Sequence, residues 1–167
     1  MTIIEILRQE FLRRLKLEGY SRITKCIAEL SEDEVWYQHN KNSNSMGNLV
    51  LHLSGNVRQY VIAGIGQTKD VRNRDEEFKL SSRMDKAKLI KHIETTVNEA
   101  VAVVNELSQE QLTETRKVQG FDETVLSIIV HVIEHFSYHV GQITYFTKYI
   151  KDLDTGYYAG LDLNVTS

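Results

Sequence analysis

Proline is absent from the 167-residue sequence, and cysteine occurs once, as Cys26. Average usage would place about eight prolines in a chain of this length. Because proline breaks or kinks the interior of a helix, its absence favours an all-α fold. One cysteine excludes an intrachain disulfide and a cysteine-based zinc site, and it is typical of a reducing compartment. We expect Cys26 to be a buried, inert thiol.

The sequence also lacks an excess of positive charge and a long hydrophobic run. The formal net charge is -3 and the isoelectric point is about 6.1, so no basic surface for nucleic acid is indicated. The longest apolar run, VLSIIVHVI at 125–133, is too short to span a bilayer. Polar residues interrupt the apolar N-terminal stretch, which argues against a signal peptide. We therefore predict a cytoplasmic protein with no nucleic-acid partner and no membrane partner.

Apolar residues recur at helical spacing in four long segments. The segments are about 2–30, 46–65, a third that follows a capping box at 82–85 and ends near 107, and 124–150. A chain of this length fits one domain. Four amphipathic helices in one domain predict an all-α four-helix bundle, formed by a single domain at 1–167.

The connections between these helices are long and polar. We interpret the charged run at 69–79, inside a connector at 67–83, as a solvated loop. A turn or short strands are expected at 113–123. The tail after residue 150 has no periodicity and is expected to wrap the surface. Connectors of this length make simple up-down-up-down topology uncertain.

The fourth helix carries three histidines at intervals of four residues, His131, His135 and His139, in the stretch HVIEHFSYHVGQ. With about 100° of rotation per residue, His131 and His139 lie about 40° on either side of His135. Ile128 and Val132 fall in the same sector. The three imidazoles therefore share the apolar face and are expected to point into the core.

The second helix carries a polar line on an otherwise apolar segment. His52 lies among leucines and valines in NLVLHLSGNVRQ, and Asn48 and Asn56 lie one turn before and after it. An unpaired buried polar group costs roughly 1–3 kcal/mol, so this line needs a partner. A metal ion shared with the fourth helix would supply one.

Two histidines at i and i+4 direct their nitrogens to one point, as in helical zinc sites, and a third from another helix leaves coordination positions open. Spacing alone allows either His131 with His135 or His135 with His139 as the pair. Taken alone, His52 is better interpreted as a hydrogen-bonded core histidine. A bundle without metal must find other partners for three core imidazoles, so we rank that alternative last.

Three stretches and Trp36 resemble the DinB/YfiT-like superfamily of bacterial proteins. The stretches are NLVLHLSGNVRQY (48–60), DVRNRDEEF (70–78) and HVIEHFSYHVGQITYF (131–146). The most specific signature is His-x-x-x-His-x-Gly-Gln, and the resemblance covers most of the chain. It implies a four-helix bundle with one long crossover that binds a divalent metal near one end.

Carried over to this sequence, the resemblance implies His52, His135 and His139 as the metal ligands, with His131 as a neighbour. Gly141 would allow the backbone to approach a neighbouring helix closely. The residues expected to line the pocket or support the ligands are Asn48, Asn56, His131 and Gln142. Zinc and nickel are the first candidates for the ion, and iron and manganese also accept imidazole.

Function varies within the superfamily: some members transfer thiols such as bacillithiol to electrophiles, and many have no known activity. Our first hypothesis is a metal-dependent enzyme that transfers a low-molecular-weight thiol or hydrolyses a small substrate, since a divalent ion lowers the pKa of a bound thiol or water. The alternative is a non-catalytic, stress-related metal- or ligand-binding protein, which the lack of an obvious carboxylate base beside the histidines favours. Family members often form dimers, so a homodimer is also predicted.

Overall fold

The protein is described by a computed structural model that covers residues 1–79 and 82–166. Leu80 and Ser81 of the predicted connector and Ser167 at the end of the predicted domain lie outside the described residues. In chain order the elements are α1 (Ile3–Leu12), a π-helical stretch (Arg13–Tyr20), α2 (Ser21–Glu29), α3 (Glu32–Val35), α4 (Met46–Val57), a second π-helical stretch (Arg58–Ile65), a 3₁₀ turn (Arg74–Phe78), α5 (Lys86–Asn105), a 3₁₀ turn (Glu110–Thr113), β1 (Thr115–Val118), β2 (Phe121–Thr124) and α6 (Val125–Lys151).

Most of the described chain is helical, and the four predicted long segments are all present. Side chains cap their starts, because the first amide groups of a helix have no intrahelical acceptor. Ser45 accepts from the amide of Asn48 at the start of α4, and Thr124 accepts from that of Ser127 at the start of α6. The predicted capping box at 82–85 is wrong: Asp85 alone caps α5, and Ser82 donates to the carbonyl of Glu76 instead.

A small two-stranded sheet departs from the all-α expectation. Strands β1 and β2 pair antiparallel, with Thr115 opposite Thr124 and Val118 opposite Phe121. The two residues between them, Gln119 and Gly120, have φ angles of 51° and 87°. Positive φ at both central positions gives a turn whose twist matches that of the strands. The hairpin, at 115–124, confirms the short strands expected in the polar 113–123 segment, and it leads directly into α6.

One hydrophobic cluster joins all four helical segments. Its largest fully buried side chains include Phe11 and Ile23 from the first segment, Leu53 from α4, Ile93 from α5 and Phe136 from α6. Helix α4 is buried on almost every side, because it packs against both α5 and α6. This burial explains why its sequence is apolar all round and why the few polar residues on it need partners.

Helices α4 and α6 run antiparallel, and this places their histidines together. His52 lies beside His135. Eight residues later, in the π-helical stretch that continues α4, Tyr60 stacks on His131, which lies one turn before His135 on α6. The tail after α6 folds back through Tyr157, whose hydroxyl lies 3.2 Å from Cys26 Sγ and 2.9 Å from Thr144 Oγ1. Across residues 1–79 and 82–166, no helix combines the length and apolarity that a membrane span requires.

Candidate metal centre

Three imidazoles from two helices converge on one point. The Nε2 atoms of His52 and His135 are 3.2 Å apart, and those of His135 and His139 are also 3.2 Å apart. His52 is buried, and His135 and His139 are half-buried. The three could hold a metal ion, since one ligand atom from each lies within 4.8 Å of the others. Their other nitrogens point away from this centre.

Two of the three rings are oriented by an acceptor at Nδ1. Glu77 Oε2 lies 2.8 Å from Nδ1 of His52, and Gln142 Oε1 lies 2.7 Å from Nδ1 of His139. A carboxylate and an amide oxygen only accept, so each Nδ1 carries the hydrogen. Each Nε2 then presents a lone pair to the centre. This arrangement is the usual way in which an outer partner fixes the tautomer of a ligating histidine.

Glu77 is itself held by a buried arginine. Arg72 Nε and Nη2 donate to the two carboxylate oxygens at 2.6 and 3.0 Å, and Arg72 Nη1 donates to Gln59 Oε1 at 2.8 Å. The side chains of Arg72 and Glu77 are only 4% and 9% exposed. The interpretation of 69–79 as a solvated loop is therefore wrong for these two residues, because the connector folds them against α4.

The backbone of α4 makes room for this ion pair at Gly55, one turn after His52. A Cβ atom at Gly55 would lie 2.0 Å from Glu77 Oε1 and 3.0 Å from Arg72 Nε. No side chain fits at that distance without moving the carboxylate. Gly55 is thus required by the close approach of the connector to the helix, not by a turn.

The electrostatic setting keeps His135 and His139 neutral. Burial lowers the pKa of His135 to about 3, and repulsion from His139, His52, His131 and Arg72 acts in the same direction. Burial also lowers the pKa of His139, although the bond with Gln142 opposes this effect. Neutral imidazole is the form that binds metal.

The three Nε2 atoms of His52, His135 and His139 suit a divalent ion. If Nδ1 holds the hydrogen on His52 and His139, a hydrogen on Nε2 of His135 can serve only one of them well. The Nε2 lone pair of the other histidine is then left without a donor and repels the remaining lone pair across the centre, within 4.8 Å. Protonation of His135 does not relieve this repulsion at neutral pH, because its pKa is lowered. A shared cation removes that repulsion, and imidazole nitrogen is an ordinary ligand for zinc and nickel.

Glu77 has a lowered pKa despite its burial. Burial alone would raise the pKa of this carboxyl, but hydrogen bonds from His52 and Arg72 and the charge of Arg72 together outweigh it. The carboxylate therefore stays ionised beside the centre. No such carboxylate is obvious from the sequence, because Glu77 lies 25 residues from His52 along the chain.

The remaining predicted residues lie around the centre in different roles. His131 stacks between Tyr60 and His135, with ring centroids 4.5 and 5.6 Å away, and it is outside the convergent group. Asn48 donates to the backbone carbonyl of Glu77 at 2.9 Å and so supports the 3₁₀ turn. Asn56 is buried, and among the described residues its Oδ1 has no hydrogen-bond partner.

Gly141 does not allow a close helix contact as expected. A Cβ atom at this position would meet nothing within 4 Å. Gly141 instead lines a cavity of about 690 Å³ that also reaches His139 and Gln142. The centre is therefore open on the side of α6 that faces this cavity.

Arg72 and Glu77 are the site residues that sequence reasoning missed. Their signal is an arginine and a glutamate five residues apart just before Phe78, whose ring packs 5.4 Å from that of His52. The stretch DVRNRDEEF contains all three, and it contributed to the family resemblance. The charged composition of this stretch suggested that it is exposed to solvent. Composition carries no information about the path of the loop, so the burial of Arg72 and Glu77 was missed.

Several solved structures share this fold. A DinB-like protein from Bacillus subtilis, YjoA, is 15% identical with a TM-score of 0.63, over 89% of this chain and 94% of that one. A DinB-like protein from Bacillus cereus ATCC 10987 is 14% identical with a TM-score of 0.66, over 85% and 91%. A conserved protein from Enterococcus faecalis is 15% identical with a TM-score of 0.67, over 89% and 96%. At these identities the likeness establishes the fold alone.

The sequence itself identifies the family. No curated protein matches it. A family model described as "Protein of unknown function (DUF1572)" matches residues 7–158, which is most of the chain and includes every residue of the candidate metal centre. The chain therefore belongs to the DUF1572 family, and its fold is that of the DinB-like proteins described above.

Proposed function

We propose that the protein is a divalent-metal-dependent enzyme with His52, His135 and His139 as the metal ligands. The observation that carries this proposal is the convergence of three Nε2 atoms beside an open cavity. The reaction we propose is transfer of a low-molecular-weight thiol to an electrophile, with hydrolysis of a small substrate as the close variant. Zinc or nickel is the ion proposed first, followed by iron or manganese.

The residues around the ligands have distinct tasks in this proposal. Glu77 holds the tautomer and orientation of His52, and Gln142 does the same for His139. Arg72 balances the charge of Glu77, so the carboxylate orients the ring without adding a net negative charge to the site. Three neutral imidazoles leave a bound ion its full charge, and such an ion lowers the pKa of the thiol or water that it binds.

A specific observation supports the alternative, a non-catalytic, stress-related metal- or ligand-binding protein. The carboxylate nearest the centre, Glu77, is fully engaged by His52 and Arg72. No carboxylate is found among the described residues that line the cavity. A general base facing a substrate is therefore not evident, and binding without turnover remains the second candidate.

The wider setting is proposed as follows. The four helical segments form a DinB/YfiT-type four-helix bundle, in which the 67–83 connector is part of the long crossover. The protein acts in the cytoplasm on a small-molecule substrate, without a nucleic-acid or membrane partner, and it forms a homodimer. A sedimentation measurement that gives a clean monomer of about 19 kDa would remove the dimer.

The proposed function is tested by metal analysis of protein purified without an affinity tag, followed by a screen of thiols against an electrophile such as 1-chloro-2,4-dinitrobenzene. We expect one divalent ion per chain, no activity after chelation, and recovery on adding the ion back. Activity that survives complete chelation would overturn the metal-dependent mechanism. Stoichiometric metal without turnover of any thiol would favour the binding protein.

A further inference from the structure

The cavity beside the candidate metal centre has a definite chemical character. It has a volume of about 690 Å³, within the range typical of small-molecule sites. Helix α6 supplies one wall and the start of α4, with the loop before it, supplies the other. Because His139 belongs to the lining, a molecule in the cavity reaches the centre directly.

The lining carries no charged side chain among the residues that the structure describes. Its polar groups are amides, hydroxyls and the imidazole of His139, with Asn42 and Asn44 exposed at the loop edge. The charged groups of the centre, Arg72 and Glu77, lie behind His52 and not in this cavity. A carboxylate bound here would find no arginine or lysine partner in the lining, so nothing would compensate the part of its hydration that it gives up on binding.

Aromatic rings form much of the remaining surface. Tyr138 and Tyr145 are 60% and 74% exposed, so their faces are available to a ligand. Phe146 is held in place by Tyr37, with ring centroids 6.5 Å apart. Exposed rings beside a buried apolar base, formed by Met46 and Ile143, suit a flat apolar group.

Gly141 keeps the middle of the α6 wall open. It lies between Tyr138 and Tyr145 on the helix, and a Cβ atom there would meet no protein atom within 4 Å. An added side chain therefore has room at its Cβ atom and can extend into the cavity that Gly141 lines. This makes Gly141 a position where ligand access can be blocked selectively.

We propose that this cavity binds a small molecule that has a flat apolar group and no charge apart from the group that meets the metal. The inference rests on the proposed function, since it places the sulfur or oxygen of that molecule at the three-histidine centre. It narrows the thiol class to neutral thiols and disfavours thiols that carry a further carboxylate.

The test uses the full chain loaded with cobalt(II), a spectroscopic stand-in for the resident ion. Two probes that differ by one carboxylate are titrated, phenylmethanethiol and 4-(mercaptomethyl)benzoate. Binding is followed by the near-ultraviolet absorption that a thiolate produces on cobalt, with the thiol proton released to buffer. We expect the neutral probe to bind at least about tenfold more tightly than the anionic probe.

Two variants at one position test the location. Gly141→Leu should weaken the neutral probe at least about tenfold, because the added side chain occupies the cavity. Gly141→Ala is the matched control and should have a small effect. Both variants should bind cobalt like the natural chain, which also shows that they fold.

The outcomes separate the two proposals. Equal or tighter binding of the anionic probe would overturn the inference about charge, and unchanged binding in Gly141→Leu would overturn the location. In either case, continued binding of cobalt would show that the metal centre is intact. Failure of the natural chain to bind cobalt would overturn the proposed function and this inference with it.

Discussion

The histidine centre has two sides that are built differently. On the closed side, His52 is held by Glu77, which is paired with Arg72 and packed over Gly55. On the open side, His139 is held by Gln142 next to Gly141 and the cavity. The closed side is buried and contains a charged pair, whereas the open side is neutral and half-exposed.

The difference shows how a site can be rigid and accessible at once. A buried, charge-assisted pair fixes one ligand strongly, because moving it would leave a charge without a partner. The neutral amide of Gln142 fixes His139 more weakly. It places no charge beside the opening through which a substrate would enter. The comparison predicts that changes on the closed side reduce stability and metal affinity together, while changes on the open side alter binding without a loss of stability.

The largest effect is expected for Glu77→Ala on the closed side. This change leaves the Arg72 guanidinium buried without its partner, and breaking such a pair costs about 3 kcal/mol or more. It also removes the acceptor that orients His52, so metal affinity should fall about 10–100-fold. Urea denaturation and a metal titration measure the two effects. Glu77→Gln keeps the shape and one acceptor, so it should lose less stability and less metal affinity. An unchanged urea midpoint in Glu77→Ala would contradict the claim that this buried pair stabilises the closed side.

The same substitution at two glycines should have opposite outcomes. Alanine in a helix interior normally gains about 0.5–1 kcal/mol over glycine. Gly141→Ala should show this gain or no change, since nothing lies within 4 Å of the added Cβ atom. Gly55→Ala should instead lose about 1–3 kcal/mol, because the Cβ atom collides with Glu77. Thermal unfolding of the two variants measures these changes in stability. A gain in stability for Gly55→Ala would show that the Arg72–Glu77 ion pair moves aside freely.

Acid should destabilise the metal-free protein through His135 on α6. The pKa of His135 falls from 6.5 to about 3 on folding, so at intermediate pH the unfolded chain binds more protons. The stability is therefore fully present above pH 6.5 and declines as the pH falls towards 3. For this one residue the loss between pH 7 and pH 5.5 is about 1 kcal/mol. His135→Ala should flatten the decline, and an equally steep decline in that variant would assign the acid sensitivity elsewhere.

Bound metal should add to this dependence. An ion that binds the folded protein raises its melting temperature, and protons compete with it for the imidazoles. The increase should shrink as the pH falls below about 6.5. An increase that stays constant down to about pH 4.5 would mean that histidines are not the ligands.

The smallest effect is expected for Gln142→Ala on the open side. It removes the acceptor at His139 Nδ1, so metal affinity should fall by about tenfold. That is the lower end of the range expected when a residue that orients a metal ligand is removed. No buried charge is left behind, and stability should change by no more than about 0.5 kcal/mol. Competition with a metallochromic dye measures the affinity. A loss as large as that of Glu77→Ala would remove the distinction between the two sides.

The sequence predicted the helices and the histidine alignment because both depend on local periodicity. Apolar spacing located the four segments, and intervals of four residues placed His135 and His139 on one face. Spacing did not choose between the two histidine pairs; the family resemblance supplied that choice. The three histidines named by the resemblance lie together in the structure, while their role as metal ligands stays a prediction.

The parts that sequence reasoning missed depend on non-local contacts. Glu77 meets His52 across 25 residues, and the connector's charged composition gave no reason to expect its burial. Gly141 was assigned to a close helix contact because glycine often has that role, yet here it faces a cavity. In both cases the same residue type fits two environments, and only the path of the chain decides between them.

The most direct test of the three-histidine centre is X-ray absorption of the zinc-loaded full chain, together with metal stoichiometry for two single variants. We predict one zinc ion per chain with three imidazole nitrogens at about 2.0–2.1 Å. Stoichiometric binding should be lost in His135→Ala and retained in His131→Ala. Retention of the ion in His135→Ala, or equal loss in both variants, would contradict the assignment of His52, His135 and His139 as the ligands.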